Sequence, residues 1–433
     1  MIVPLTEKIN DFFADSFTFA LLNPPDVDRK FIENYNFFAR FFKNFGSFYK
    51  DFSGFFPNNF NDAFSRYYDS LGTEIDTEKD IWEGLDYEVM SENIGKKNDK
   101  LLLVRNENSD RHIYFSPPEA GHNSGVIHFK NSLDKSVALN ALQYANLWIM
   151  DKGNAEEEDS DFGLDDCVER SKSAIEYINN HTGEKVDVAG FCQGGWEVFL
   201  ASYLIQDKCS SCASGASPYN WHSSDLSDLT REINPADKKD SEKVKKQRDR
   251  IENLISQNKG IMPGLWNLLG FIYFSKDQLL HKDMDDLFRA SFNSDNEYIQ
   301  RFKDFRPGWF MHPQGLGGRY FKEVFSMYEE NGVFQSSLKI LGKEIDLRKF
   351  KLPIYCLNGT KDNITSYGQQ MDLFKNIGTV SKDKVEDSVK AGHIGVFTSS
   401  KAMPCWNAWF ETITHPDFSK TSFSPGEFYK SLR

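Results

Sequence analysis

Residues 186–202 read VDVAGFCQGGWEVFLAS. Val186 to Ala189 is a short run rich in β-branched residues, expected as a strand, and from Trp196 onward the apolar spacing is that of a helix. Between them Gly190, Gly194 and Gly195 crowd around Cys192. Two readings compete: a nucleophile held on a sharp strand-to-helix turn, or a buried structural thiol in a glycine-rich loop.

Gly190-Phe-Cys192-Gln-Gly194 has the form of the elbow on which α/β-hydrolases carry their nucleophile. Such an elbow strains the backbone of the central residue, and strand and helix approach too closely there for a Cβ on the flanking residues. A helix opening just after Cys192 would turn its positive end toward the sulfur and favour thiolate. The backbone N–H of Gln193 would face a developing oxyanion. The pentapeptide alone leaves both readings open.

The elbow fold also requires an acid and then a histidine, each on a loop after a late strand. LPIYCLNGTKDNIT (352–365) supplies an apolar strand running into a loop with Asp362. VKAGHIGVF (389–397) places His393 among small residues about thirty positions further on. Cys192, Asp362 and His393 thus stand in the order the elbow fold demands, and the nucleophile reading prevails. His393 would take the thiol proton, while Asp362 would fix its tautomer and stabilise the imidazolium. The second oxyanion donor is expected on the loop PPEAGHNSG (117–125), from the backbone of Glu119 or Ala120. His122 on the same loop is a candidate for the mouth of the pocket, against the plainer reading of a structural histidine. A cysteine here has its own chemical meaning. An acyl-cysteine is a thioester, close in energy to a coenzyme A thioester, so acyl groups move on and off it with little loss of activation.

Outward from the elbow, KLLLVRNE (100–107), RHIYFSPP (111–118) and YANLWIMDKG (144–153) read as strands, and Gly163 to Asn180 as a helix. Strands alternating with helices indicate a mostly parallel sheet flanked by helices, an α/β-hydrolase fold. Between about 221 and 334 the alternation stops. DKKDSEKVKKQRDRIENL (237–254) reads as a solvated charged helix or linker, and aromatic segments such as MPGLWNLLGFIYF (262–274) follow. The expected organisation is an N-terminal helical extension over 1–98, a core over 99–220 and 335–433, and a helical lid over 221–334. Sixteen of the 38 Phe fall in the first 64 residues. Phe31, Tyr35, Phe38, Phe42, Phe45, Tyr49, Phe52 and Phe56 form a stripe at helical spacing. It would pack on the rest of the chain or on another subunit, or dock on an apolar surface such as a polymer inclusion.

A chain of 433 residues can bury a large core, and its net charge of −13 argues against a nonspecific grip on nucleic acid or anionic lipid. Six cysteines in so long a chain do not make a disulfide framework. Cys209 and Cys212 form CSSC without a second Cys/His pair at metal spacing, so they read as a loop CxxC, and no metal or bound cofactor is expected. The opening MIVPLTEKINDFFADSF carries no secretory pattern, and no uncharged apolar run is long enough to span a bilayer. A cytoplasmic setting is the expectation.

GFCQGG resembles the lipase-like box of polyhydroxyalkanoate synthases, in particular the short class that works with a second subunit, and of synthase-related α/β-hydrolases. GIMPGLWNLLGFIYF, YFKEVFSMYEENGVF, GKEIDLRKFKLPIYCLNGTKDNIT and AGHIGVFTSSKA follow that family in the same order, as does Pro117-Pro118 after a strand. The likeness covers roughly 100 to 415. It implies an acyltransferase that takes 3-hydroxyacyl groups from coenzyme A thioesters and polymerises them. Cys192 would carry the growing chain as a thioester, with His393 activating it, Asp362 assisting, and the helical insertion acting as a lid. Acyl-CoA, the polyester chain, a second synthase subunit or a homodimer, and a polymer-granule surface are the implied partners. Trp196 stands where these synthases usually carry Thr, and Asn363 follows Asp362 where they usually have His. A cysteine hydrolase on the same three residues (a thioesterase or polyester depolymerase) and a granule-associated scaffold are the rival readings.

Overall fold

The structure, a computed structural model, describes residues 86–95, 98–119, 136–225, 241–264, 283–305 and 314–433, with Arg40, Asp62, Ala63, Arg66, Tyr67, Asp69 and Ser70. The aromatic stripe from Phe31 to Phe56, Ala120 and His122 lie outside the described residues. The chain divides into two compact units, one of Met1–Ile81 with Glu252–Gly315, the other of Trp82–Ile251 with Leu316–Arg433.

The second unit is built on one sheet. Its strands are β1 (Glu88–Glu92), β2 (Lys100–Val104), β3 (His112–Ser116), β4 (Asn146–Asp151), β5 (Val186–Phe191), β6 (Cys209–Gly215), β7 (Ile354–Gly359) and β8 (Lys384–Val389). They lie in the order β1-β2-β4-β3-β5-β6-β7-β8. β2 runs antiparallel to both of its neighbours, and every other pairing is parallel. All six residues of β5 and all six of β7 are buried, as strands covered on both faces must be.

Five helices flank the sheet: α1 (Val137–Ala141), α2 (Leu164–Thr182), α3 (Gln193–Leu204), α8 (Met403–Thr414) and α9 (Pro425–Leu432). From β3 the chain passes through α1 to β4 in one direction across the sheet, then through α2 to β5 and α3 to β6 in the other. Right-handed crossovers in opposite directions place α1 on one face and α2 and α3 on the other. The reversal leaves a crevice at the carboxyl ends of β3 and β5, where ligands bind in open α/β sheets.

Local chemistry explains the helix ends. The Ser136 hydroxyl accepts from the Leu139 N–H at the start of α1, at 3.2 Å. α2 ends on Gly183 in the left-handed region, at φ 76°.

Three expectations are corrected. CSSCASG (209–215) is not a loop but β6, set between β5 and β7. Its small side chains suit a strand pressed between close neighbours, and they hide the usual β-branched signature. The sheet begins at Glu88, inside the stretch expected to be an N-terminal extension, because the edge strand EVMSE is largely polar and exposed. Residues 316–334, expected in the lid, belong with the sheet. There α7 (Gly318–Glu329) buries Tyr320, Val324 and Met327. The charged segment before them forms α4 (Ser241–Gln257).

In the first unit, α5 (Asp283–Asn293) and α6 (Asn296–Phe305) share a small core of Leu287, Ala290 and Ile299. Tyr67 packs on that core, with its ring edge-on to Phe288 at 5.5 Å. The Arg66 guanidinium donates twice to the Ser291 carbonyl, at 3.0 and 2.6 Å. Part of the N-terminal region and part of the insertion, far apart in sequence, thus form one body.

Candidate active site

β5 delivers the chain to Cys192, whose backbone lies at φ 52°, ψ −119°. A non-glycine residue holds such a conformation only where its surroundings over-determine it. The surroundings here are main chain at Gly190 and Gly194 and a side chain at Gly195. A Cβ on Gly190 would lie 2.2 Å from the Gly194 carbonyl oxygen, and one on Gly194 would lie 2.2 Å from that of Ser116. A Cβ on Gly195 would fall 1.8 Å from Ser217 Oγ. The Cys192 N–H donates to the Gly215 carbonyl at 2.9 Å, which ties the elbow to the end of β6. Beneath it Phe191 is fully buried and packs on Phe115, Phe397 and Trp406. α3 opens at Gln193, so its positive end lies at the sulfur. Cys192 is half-buried, whereas the other five cysteines are buried and unpaired.

Asp362 and His393 reach the same spot from two adjacent strands. β7 and β8 run parallel with Gly359 opposite Val389, so their loops leave the sheet side by side. The Thr360 N–H donates to the Val389 carbonyl at 2.8 Å and the Lys361 N–H to that of Ala391 at 3.0 Å, knitting the loops together. Asp362 Oδ1 accepts from the N–H groups of Ile364 and Thr365, both at 2.8 Å. That leaves Oδ2 for His393 Nδ1, at 2.9 Å. Cys192 lies close enough to the ring to act on its charge. Burial pushes the His393 imidazolium down, but the Asp362 carboxylate and the neighbouring Cys192 outweigh it and hold the ring well above the ordinary histidine range.

The start of the loop after β3, Pro117 to Glu119, meets the elbow. Gly194 lies directly under the Ser116 and Pro117 carbonyls, so this loop and the first turn of α3 are in contact. Glu119 is 2% exposed, and its side chain turns into a buried charged cluster with Lys152, Glu197 and Arg170. Trp196, which stands where the synthases usually carry Thr and on sequence is a candidate to line the pocket, is fully buried and stacks on Tyr320 of α7 at 6.4 Å. Tyr328, near the end of α7, reaches the site. It lies close to Cys192, and desolvation there pushes its phenol up.

Sequence reasoning missed Tyr328, Lys152 and Glu197. One signal was present: Glu197 is the lone carboxylate in the apolar run GGWEVFLAS (194–202). The Glu119, Cys167 and Glu197 ligand atoms lie within 4.8 Å of one another, a metal-like grouping. Lys152 and Arg170 already supply the positive charge there.

No family model matches the chain. Among curated proteins it is similar to the poly(3-hydroxyalkanoate) polymerase subunit PhaC of Thiocystis violacea, 22% identical over 264 residues, covering 59% of this chain and 68% of that one. The subunit of the same name from Allochromatium vinosum is 23% identical over the same shares. Among solved structures, a monoacylglycerol lipase from Paleococcus ferrophilus is 14% identical with a TM-score of 0.42, covering 70% of this chain and 93% of that one. The fold assignment rests on the strand order and crossovers above.

Proposed function

We propose that this chain, an α/β-hydrolase-fold relative of the poly(3-hydroxyalkanoate) polymerase subunits, is an acyltransferase that takes 3-hydroxyacyl groups from coenzyme A thioesters onto Cys192. The observation that carries the reading is the Asp362–His393 hydrogen bond close to a half-buried cysteine on a strained elbow. Its sequence similarity to two polymerase subunits supports the choice of substrate.

In the first half-reaction the Cys192 thiol gives its proton to His393, and the sulfur attacks the thioester carbonyl. The carbonyl oxygen takes up negative charge beside the start of α3 and the loop after β3. When the tetrahedral species collapses, the bond to the coenzyme A sulfur breaks and the leaving thiolate takes the proton from His393. An acyl-cysteine remains, with the number of thioester bonds unchanged. In the second half an acceptor hydroxyl gives its proton to His393 and attacks that thioester, forming an ester and restoring the thiol. With a 3-hydroxyacyl acceptor the product is a longer polyester; with water it is the free acid. Asp362 holds the ring by Nδ1 and stabilises its charged form throughout.

The test is incubation of the purified protein with 3-hydroxybutyryl-CoA, following thiol release and separating polymer from free acid. Release with polymer formation, lost in Cys192→Ala, is expected. Free acid alone would make the chain a hydrolase. Equal release by wild type and Cys192→Ala would remove the nucleophile.

A further inference from the structure

Beside the start of the loop after β3 lies a heavily charged part of the buried interior. Lys152, just past β4, is fully buried. Its ammonium donates to the Pro117 carbonyl and to Glu197 Oε2, both at 2.5 Å, and lies 2.6 Å from Glu119 Oε1. Arg170 of α2, also fully buried, pairs with Glu119, with Glu197 Oε1 at 3.3 Å and with Asp99 Oδ2 at 3.5 Å. The Ser171 hydroxyl donates to Glu197 Oε1 at 2.5 Å and is itself 2.9 Å from the Tyr114 hydroxyl. Two cations, Lys152 and Arg170, therefore face three carboxylates, Asp99, Glu119 and Glu197.

Such a cluster is a costly way to fill a core, since apolar side chains of the same volume usually do at least as well. Its geometry indicates another use. Lys152 binds the main chain of the loop at Pro117 and, through the same ammonium, the first turns of the elbow helix at Glu197. Those two pieces meet where Gly194 leaves no room for a Cβ beneath Ser116 and Pro117. A shift of the loop toward or away from the elbow would break the Lys152 bonds or close that gap. The loop also carries Glu119, directly after the double proline.

We propose that Lys152 and Glu197 are positioning residues that clamp the loop after β3 to the nucleophile helix, fixing the second oxyanion donor over Cys192. The inference rests on the reading of Cys192 as an acyl-accepting nucleophile. Neither residue touches substrate. They set where the Glu119 N–H stands when the carbonyl oxygen becomes negative, the kind of placement in which small displacements slow chemistry without weakening binding.

The test compares two rates at Cys192 in the full-length protein. Alkylation by iodoacetamide needs the thiolate but no oxyanion hole, and it reports on Cys192 because the other five cysteines are buried. Acylation by 3-hydroxybutyryl-CoA, read by intact mass after rapid quench, needs both. Lys152→Met and Glu197→Gln are expected to keep the wild-type alkylation rate. Their acylation is expected to slow roughly 10- to 100-fold at saturating substrate with little change in KM, and Lys152→Arg to regain part of it. Unchanged acylation in variants that alkylate normally overturns the clamp. Should Lys152→Met fail to fold, Glu197→Gln carries the comparison, since it leaves two cations facing two carboxylates. Wild-type protein that alkylates but is never acylated would bring down the nucleophile reading and the clamp with it. Wild type and variants acylated alike would remove the clamp alone.

Discussion

Cys192 is held at φ 52° by neighbours that differ in what can give way. On Gly194 a new Cβ would meet the Ser116 and Pro117 carbonyl oxygens at 2.2 and 2.7 Å, both main-chain atoms. Gly194→Ala is therefore expected to cost about 1–3 kcal/mol or more and to displace the elbow. On Gly195 the obstacle is the Ser217 side chain, with Oγ at 1.8 Å. Gly195→Ala should be destabilising alone and partly rescued by Ser217→Gly, and thermal melts of both singles and the pair check this. A rescue equal to zero would mean that the helix, not Ser217, sets the limit. His393 gives the pH dependence. Its folded value is raised above the ordinary 6.5, so the stabilisation from its charged form is complete below that pH and is lost as pH rises through the folded value. In Asp362→Asn the ring loses its carboxylate, and its titration, followed by NMR, should move to lower pH. A titration unmoved by that change would show that Asp362 does not support the imidazolium.

At the scale of elements, α7 is fixed at both ends of its buried face. Tyr320 stacks on Trp196, and Tyr328 stacks on Trp221 with centroids 3.5 Å apart. Just beyond the helix, Asn331 sits at φ 52°. Its side chain accepts from the Trp221 N–H and donates to Asn220 Oδ1, both at 2.8 Å. Asn331→Gly keeps the backbone conformation and removes the amide, so a loss of about 1–3 kcal/mol is expected in denaturant unfolding. Asn331→Ala adds backbone strain and should cost more. A smaller loss in Asn331→Ala would contradict the assigned role of the backbone. The same elements show what was legible in the sequence. β4, β5 and β7 carried apolar runs bounded by turn residues, and Cys192 and Asp362 each followed such a strand, whereas β8 ahead of His393 reads KVEDSV and is only partly buried. β6 was not legible, because CSSCASG has small side chains dictated by its neighbours rather than by strand preference. Lys152 and Glu197 each showed only as a charge near an apolar run. Their partners lie 26 to 45 residues away, a distance closed by strand order and not by any local pattern.

At the scale of the whole molecule, residues before 82 and those from 252 to 315 make one unit, and the sheet with its helices makes the other. Within the first, Arg66 ties the N-terminal segment to the end of α5 through the Ser291 carbonyl. Arg66→Ala should raise hydrogen exchange in α5 and leave β5 and α3 protected. Equal loosening of both would mean that the two units unfold as one. Among the described residues no helix is long and apolar enough to cross a membrane. The proposed chemistry depends on one covalent event at the elbow. Its most direct measurement is an acid quench after mixing with 3-hydroxybutyryl-CoA, followed by digestion and peptide mass mapping. The expected result is a 3-hydroxyacyl adduct on the peptide containing Cys192, labile to hydroxylamine, absent in Cys192→Ala and greatly reduced in His393→Ala. An adduct on another residue, or coenzyme A release that proceeds undiminished in Cys192→Ala, would contradict it.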